Sequence, residues 1–244
     1  MFRQVTKSRG SFVQVVKGDK PGHAFRGNQW TKGKVVTDRN LQEASLFEAG
    51  LAREYRDAGI TEDTMSAEEA AVLKSYQGSG YEDTNLLLRT NGGVGTSLTA
   101  EEIVVAKIHV AKLDTLIART PPLKEDVVVY RGIGRKAADS MGVRSENANG
   151  ETVISAKNGT LFVDAGFAST SLVSGAALDF SQNSRIALQV TVPKGSKALV
   201  MNTARSSPRM APEHEVILPR NSKMIVTGMT TVNGYTAIQV SVLP

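Results

Sequence analysis

The 244-residue chain contains no cysteine. That excludes disulfides, zinc thiolates and a cysteine nucleophile, and leaves the compartment open. There are only 8 prolines, and the 41% hydrophobic and 22% charged residues make a globular composition. No stretch approaches the roughly 18 apolar residues that a membrane-spanning helix needs, so no membrane partner is expected. The opening MFRQVTKSRGSFVQVVKGDK has no continuous apolar region, which predicts no cleaved signal peptide. No GxGxxG fingerprint precedes a helix, so a Rossmann-type dinucleotide site is excluded. Internal repeats and low-complexity segments are also missing.

What is present is unevenly spread. Of the net charge of +5, residues 1–40 carry +7: nine Lys or Arg against Asp19 and Asp38. The remainder, with 20 basic and 22 acidic residues, carries −2. Such an arm either binds a polyanion by counterion release or is a solvated tail. It is dotted with glycine and shows little periodicity. Residues 1–40 are therefore read as an extended basic arm, with one short strand at Phe12–Val16, and residues 41–244 as the folded domain.

From residue 41 the pattern is helical. Ala44, Phe47, Leu51 and Tyr55 recur at spacings of three and four, and Gly59 follows as a stop. Ser66 with Glu69, and Thr99 with Glu102, have capping-box spacing and each opens a helix. In the second, Ile103, Ala106, Val110, Leu113 and Ile117 form the apolar stripe, ended by Pro121-Pro122. GGVG at 92–95 lies between helices and reads as a loop. After Pro122 the period changes to two. DVVVYRG (126–132) reads as a strand. Ile186, Leu188, Val190 and Val192 alternate with Ala187, Gln189 and Thr191, as in a half-buried strand. EVILP (215–219), KMIV (223–226) and YTAIQVSV (235–242) supply more strands, with Asn233-Gly234 as a tight hairpin turn. Helices first and strands afterwards predict an α+β fold.

Three short features of the strand-rich half carry polar groups suited to chemistry. YRG at 130–132 puts Arg131 at the end of a strand. GFASTSL at 166–172 puts Ser169, Thr170 and Ser171 on a strand. PEHE at 212–215 puts Glu213 and Glu215 two apart. They enter a third strand, where period two points both carboxylates to the same side and His214 away. Taken singly, each is an ordinary feature: a surface cation, a polar strand, a solvated pair of acids.

Their combination and order resemble the arginine–serine–glutamate class of mono-ADP-ribosyltransferases, of the exoenzyme-like kind. The likeness extends to SYQGSGYEDTNLLLR (75–89), LDTLIARTPPLKEDVVVYRG (113–132) and EHEVILPRNSKMIV (213–226), and so covers roughly residues 41–244. The resemblance implies N-terminal helices followed by a split mixed/antiparallel β-sandwich. It also implies NAD as substrate, no metal, and a protein partner with an accessible arginine. The carried-over catalytic residues are Arg131, Ser169, Glu213 and Glu215. NAD would be held by Arg131, Gly132, Ser169, Thr170, Ser171 and Glu215.

The chemistry explains these residue types. Loss of nicotinamide from NAD builds positive charge at the ribose anomeric carbon, as in glycoside hydrolysis. By resemblance, Glu215 stabilises that charge and holds a ribose hydroxyl, while Ser169 orients Glu215 by hydrogen bonding. Arg131 binds the diphosphate through a planar fork of donors. In this class, Glu rather than Gln at the position of Glu213 goes with modification of arginine. A carboxylate there can hold a guanidinium and take its proton. Thr170 and Ser171 support the site, and His214 is structural. The loop TARSSPRMAP (203–212), with Arg205 and Arg209, either closes over NAD or is a surface loop.

GDKPGHAFRGNQW (18–30) resembles segments of bacteriophage structural proteins. That implies an enzyme packaged in a virion and delivered to a host cytoplasm, its arm on nucleic acid or capsid; secretion without a signal peptide is the other route. Two alternatives stay open: a NAD glycohydrolase, with water as acceptor, and a non-catalytic structural module on the same fold.

Overall fold

A computed structural model of the chain describes residues 38–150, 152–181, 184–205, 213–232 and 235–244. The strand expected at Phe12–Val16, the Asn233-Gly234 turn and Arg209 lie outside the described residues.

The N-terminal half is helical. Helix α1 spans Asp38–Asp57, beginning before the boundary drawn at residue 41. The first turn carries no residue of the apolar stripe, so periodicity alone places the start late. Gly59 ends the run in a left-handed conformation, with φ +70°. Helix α2 (Ala67–Ser75) opens on Ser66 and helix α4 (Ala100–Arg119) on Thr99, each with a complete capping box. Such a cap is worth about 1 kcal/mol over alanine. Between them, a π-helical turn at Tyr76–Gly80, kinked at Gly78, leads into helix α3 (Tyr81–Arg89). Helix α4 buries Ala106, Leu113 and Ile117 of its predicted stripe and stops at Thr120, ahead of Pro121.

Strands β1 (Val127–Ile133), β4 (Leu161–Asp164), β5 (Ala168–Ser171), β6 (Ile186–Val192), β7 (Leu199–Val200), β8 (Glu215–Leu218), β9 (Ser222–Val232) and β10 (Tyr235–Val242) form one sheet. Its order is β4-β9-β10-β6-β1-β5-β8-β7. Strands β10 and β6 run parallel, and the other neighbours antiparallel. The expected α+β class and the mixed, mostly antiparallel strand pairing are both present. The split falls between β1 and β5, which pair only at Tyr130 and Ser171. Separate from this sheet are helix α5 (Arg135–Ser140) and the small ladder of β2 (Arg144–Glu146) with β3 (Thr152–Ile154), which the periodicity did not predict.

Strand β6 corrects one expectation. The alternation predicted a half-buried strand, but Ile186–Val190 are all buried and only Thr191 keeps partial exposure. It is a central strand, flanked by β1 and β10, and helix α6 (Ser174–Ser181) packs against β1, β6 and β5. Gly132 on β1 permits that packing. A Cβ there would sit 2.0 Å from the Ala177 carbonyl oxygen and 2.3 Å from the Ser181 nitrogen. Helix α7 (Met201–Ala204) follows β7 directly. The Tyr55 hydroxyl ties α1 to this corner, donating to Ala198 O (3.0 Å) and accepting from Val200 N (2.9 Å).

Candidate functional site

The split in the sheet is where the polar residues gather. Tyr76, from the π-turn, is buried with its hydroxyl 3.4 Å from Ser169 Oγ. The same hydroxyl accepts from Asn85 Nδ2 at 3.3 Å, and it lies within electrostatic reach of Glu215 and Arg131. Burial pushes the Tyr76 phenol up to about 12, so at neutral pH it is a hydrogen-bonding group and not an anion. One tyrosine thus connects three residues that lie far apart in sequence.

Strand register sets Ser169 and Glu215. Ser171 pairs directly with Glu215, and Ser169 with Ile217. Period two therefore puts Ser169 on the same face as Glu215, one diagonal step away and within side-chain reach. The Ser169 hydroxyl hydrogen-bonds to the Glu215 carboxylate. Glu215 is half-buried, and its pKa is raised to about 7. Burial is the main cause and the nearby Glu213 carboxylate adds to it, while the Ser169 hydrogen bond opposes both.

Thr170 and Ser171 are committed to the backbone. Thr170 Oγ1 donates to Val216 O (2.6 Å), and Ser171 Oγ donates to Glu213 O (2.6 Å) while accepting from Val173 N (3.0 Å). These bonds fasten β5 to β8 and to the residue before it. Gly132 has the packing reason given above.

Glu213 lies close to Glu215, but not for the reason the spacing suggested. Strand β8 begins at Glu215, so strand alternation does not apply to Glu213. His214 intervenes with φ +45°, a left-handed conformation that turns the chain. Its side chain is buried and pairs with Glu48 of α1 at 3.1 Å, in keeping with a structural residue.

Arg131 meets an acidic partner that the sequence did not reveal. Its guanidinium is mostly buried and donates to Asp164 Oδ2 at 2.9 Å. The same carboxylate accepts a two-point contact from Arg89, Nε at 3.0 Å and Nη2 at 3.1 Å. Burial and the neighbouring Arg89 press the Arg131 pKa down, and Asp164 counters them. The Asp164 carboxyl is in turn held below its usual range: the two guanidinium groups outweigh the burial that would raise it. Two guanidinium groups against one carboxylate leave a net positive charge, which suits a diphosphate.

Arg89, Asn85, Tyr76 and Asp164 were missed as individual residues. The signal for Asn85 and Arg89 was their spacing of four in the 75–89 segment, which puts them on one helix face. Asn85 Oδ1 also accepts from Phe167 N at 2.8 Å, which locks α3 to the chain entering β5. Nothing local marks Asp164, the last residue of an edge strand. Arg205 of the 203–212 loop donates to Gln77 Oε1 at 2.7 Å and lies 3.9 Å from Glu62. Among the described residues there is no metal-binding group of His, Cys, Asp and Glu, and no helix long and apolar enough to cross a membrane.

Comparison with known proteins accords with this arrangement. The family described as ADP-ribosyltransferase exoenzyme matches residues 30–242. The chain belongs to that family. With it come the arginine–serine–glutamate class of mono-ADP-ribosyltransferases and NAD as the ADP-ribose donor. No curated protein matches the chain. Solved structures share the fold at low identity. The C3 exoenzyme of Clostridium limosum is 22% identical, with a TM-score of 0.60 over 84% of this chain and 95% of that one. C3stau2 from S. aureus, solved with NAD, is 22% identical with a TM-score of 0.61 over 83% and 95%. The Vis toxin of Vibrio splendidus is 18% identical with a TM-score of 0.60 over 88% and 89%.

Proposed function

We propose that this ADP-ribosyltransferase transfers ADP-ribose from NAD to an arginine side chain of a target protein. Arg131 and Arg89 hold the diphosphate, where two permanently charged forks of donors match its oxygens. As the bond from the ribose anomeric carbon to nicotinamide breaks, nicotinamide leaves with the bonding pair. Glu215 faces the positive charge that this leaves on the sugar, a charge greatest in the transition state. Ser169, with Tyr76 behind it, fixes the direction of the Glu215 carboxylate before the substrate arrives. An acceptor guanidine nitrogen then bonds to the anomeric carbon and gives up a proton to Glu213.

The observation that carries the arginine reading is the second carboxylate. Glu213 stands near enough to Glu215 to raise its pKa, and a carboxylate there suits a guanidinium in both charge and geometry. Vis, of the same fold, has been solved with agmatine, a guanidino compound, which supports the same class of acceptor. The test is incubation of protein mixtures with the enzyme and labelled NAD, followed by mass spectrometric location of the label. Label on arginine is expected. Label on another side chain overturns the arginine reading, and nicotinamide release without labelled protein favours hydrolysis.

A further inference from the structure

Between the two acidic residues of the site stands a histidine held from behind by a third. His214 has φ +45°, a backbone conformation that a residue with a Cβ seldom adopts without outside support. The support comes from α1. The His214 and Glu48 side chains are only 9% and 10% exposed, and His214 Nδ1 lies 3.1 Å from Glu48 Oε1. A carboxylate oxygen accepts, so Nδ1 carries the hydrogen. The same Oε1 accepts from Asn202 Nδ2 at 2.9 Å, and Thr203 Oγ1 donates to the Glu48 main-chain oxygen at 2.9 Å. One helical residue therefore grips the chain both within α7 and where it enters β8.

The opposite side of the turn is fixed as well. Leu172 N donates to His214 O at 3.0 Å, and Ser171 Oγ donates to Glu213 O at 2.6 Å. The end of β5 and the side chain of α1 thus hold the Glu213–His214 peptide between them. Glu215 takes its direction from the β5–β8 register. Glu213 precedes β8, so the course of the chain from it to Glu215 runs through this left-handed turn.

We infer that the buried Glu48–His214 pair is a positioning device for the acceptor step: it holds the turn that sets Glu213 beside Glu215. This rests on the acceptor role proposed for Glu213. Neither Glu48 nor His214 touches the reacting atoms, so their loss misplaces Glu213 while leaving Glu215 and the arginines in register. A displacement of about 1 Å in a positioned group is enough to cost of order 10²-fold in rate.

The test compares two reactions of the full chain: transfer to agmatine, and NAD hydrolysis without an acceptor. Glu48→Ala is expected to lower transfer about tenfold or more while hydrolysis stays within about twofold. Glu48→Gln is expected to restore most of the transfer, because an amide oxygen accepts from both His214 and Asn202. His214→Gly, which adopts the left-handed turn freely but leaves it unclipped, is expected to show the same selective loss. It also serves as the second variant should Glu48→Ala fold poorly. Unchanged transfer, or loss of both reactions by one factor, overturns the positioning role. Glu213→Gln is the separate control: if it leaves transfer intact, the acceptor reading has failed. Amide hydrogen exchange at Glu213–Val216 in the Glu48→Ala protein then still decides whether the pair holds the turn, with faster exchange expected and unchanged exchange against it.

Discussion

Arg131 donates to Asp164 across 2.9 Å, joining β1 to the end of β4 on the far edge of the sheet. The arginine proposed to hold NAD is thus already neutralised in part by the protein, and Arg89 shares the same carboxylate. Arg131→Lys keeps a positive charge for Asp164, so the fold should survive. A point-charge ammonium cannot reproduce the fork of donors to a diphosphate. NAD should therefore bind about tenfold more weakly, the equivalent of one charge-assisted hydrogen bond of about 1.5 kcal/mol. Calorimetric titration checks this; unchanged affinity would reduce Arg131 to a tie between strands.

Gly132→Ala should destabilise the protein by a different route. The three atoms its Cβ would meet, 2.0 to 2.6 Å away, are all backbone of α6, so no side chain can swing aside. The helix must lift from β1, at a cost of about 1–3 kcal/mol or more for overpacking. At this size each kcal/mol lowers Tm by roughly 2–4 °C. A variant that melts within a degree of the parent would mean that α6 shifts freely.

Periodicity and capping carried much of the fold. The helix starting at Ser66, the long helix from Thr99 to the proline pair, and strands β1, β8, β9 and β10 were all legible, because each has a local signal of its own. The α5–β2–β3 region was not, since its elements are only three to six residues long. Nor was the full burial of β6, because what covers a strand is decided by its neighbours. The site divides in the same way. Arg131, Ser169 and Glu215 stand in short motifs whose order suggested a family. Asp164 and Tyr76 matter only because folding brings them within 3.5 Å of those residues. The Glu213–Glu215 proximity was expected, but from alternation along a strand that starts only at Glu215. The left-handed turn at His214 and its Glu48 partner on α1 are long-range facts with no local trace.

The two glutamates should separate on substitution. Glu213→Gln should depress transfer to agmatine by about 10²-fold or more, the usual worth of a positioned proton acceptor. NAD hydrolysis should retain most of its rate, because water needs less help in losing its proton. Parallel assays on one preparation measure the ratio. Equal loss in both would mean that Glu213 also serves NAD binding or the architecture of the site.

Glu215 links activity and stability to pH. With its pKa near 7, the carboxyl is neutral in acid and cannot stabilise a cation. NAD cleavage should therefore rise with pH through about 7 and level off above it. Ser169→Ala removes a hydrogen bond to the charged form and should move that midpoint up. Glu213→Gln removes a like charge and should move it down. Stability should run the other way. The folded protein binds this proton more tightly than the unfolded chain, whose Glu titrates near 4.5. Glu215 therefore makes stability fall as pH rises from about 4.5 to about 7, and then stay level. Glu215→Gln removes that slope, so it should melt above the parent at pH 8 and no higher at pH 4, while cleaving NAD at least ~100-fold more slowly. Thermal melts and nicotinamide release measured across the same pH series test both halves together. A folded Glu215→Gln protein with near-normal turnover would remove Glu215 from the centre of the reaction. A midpoint that stayed in the ordinary carboxylate range in the parent, Ser169→Ala and Glu213→Gln alike would show that burial does not hold the proton there.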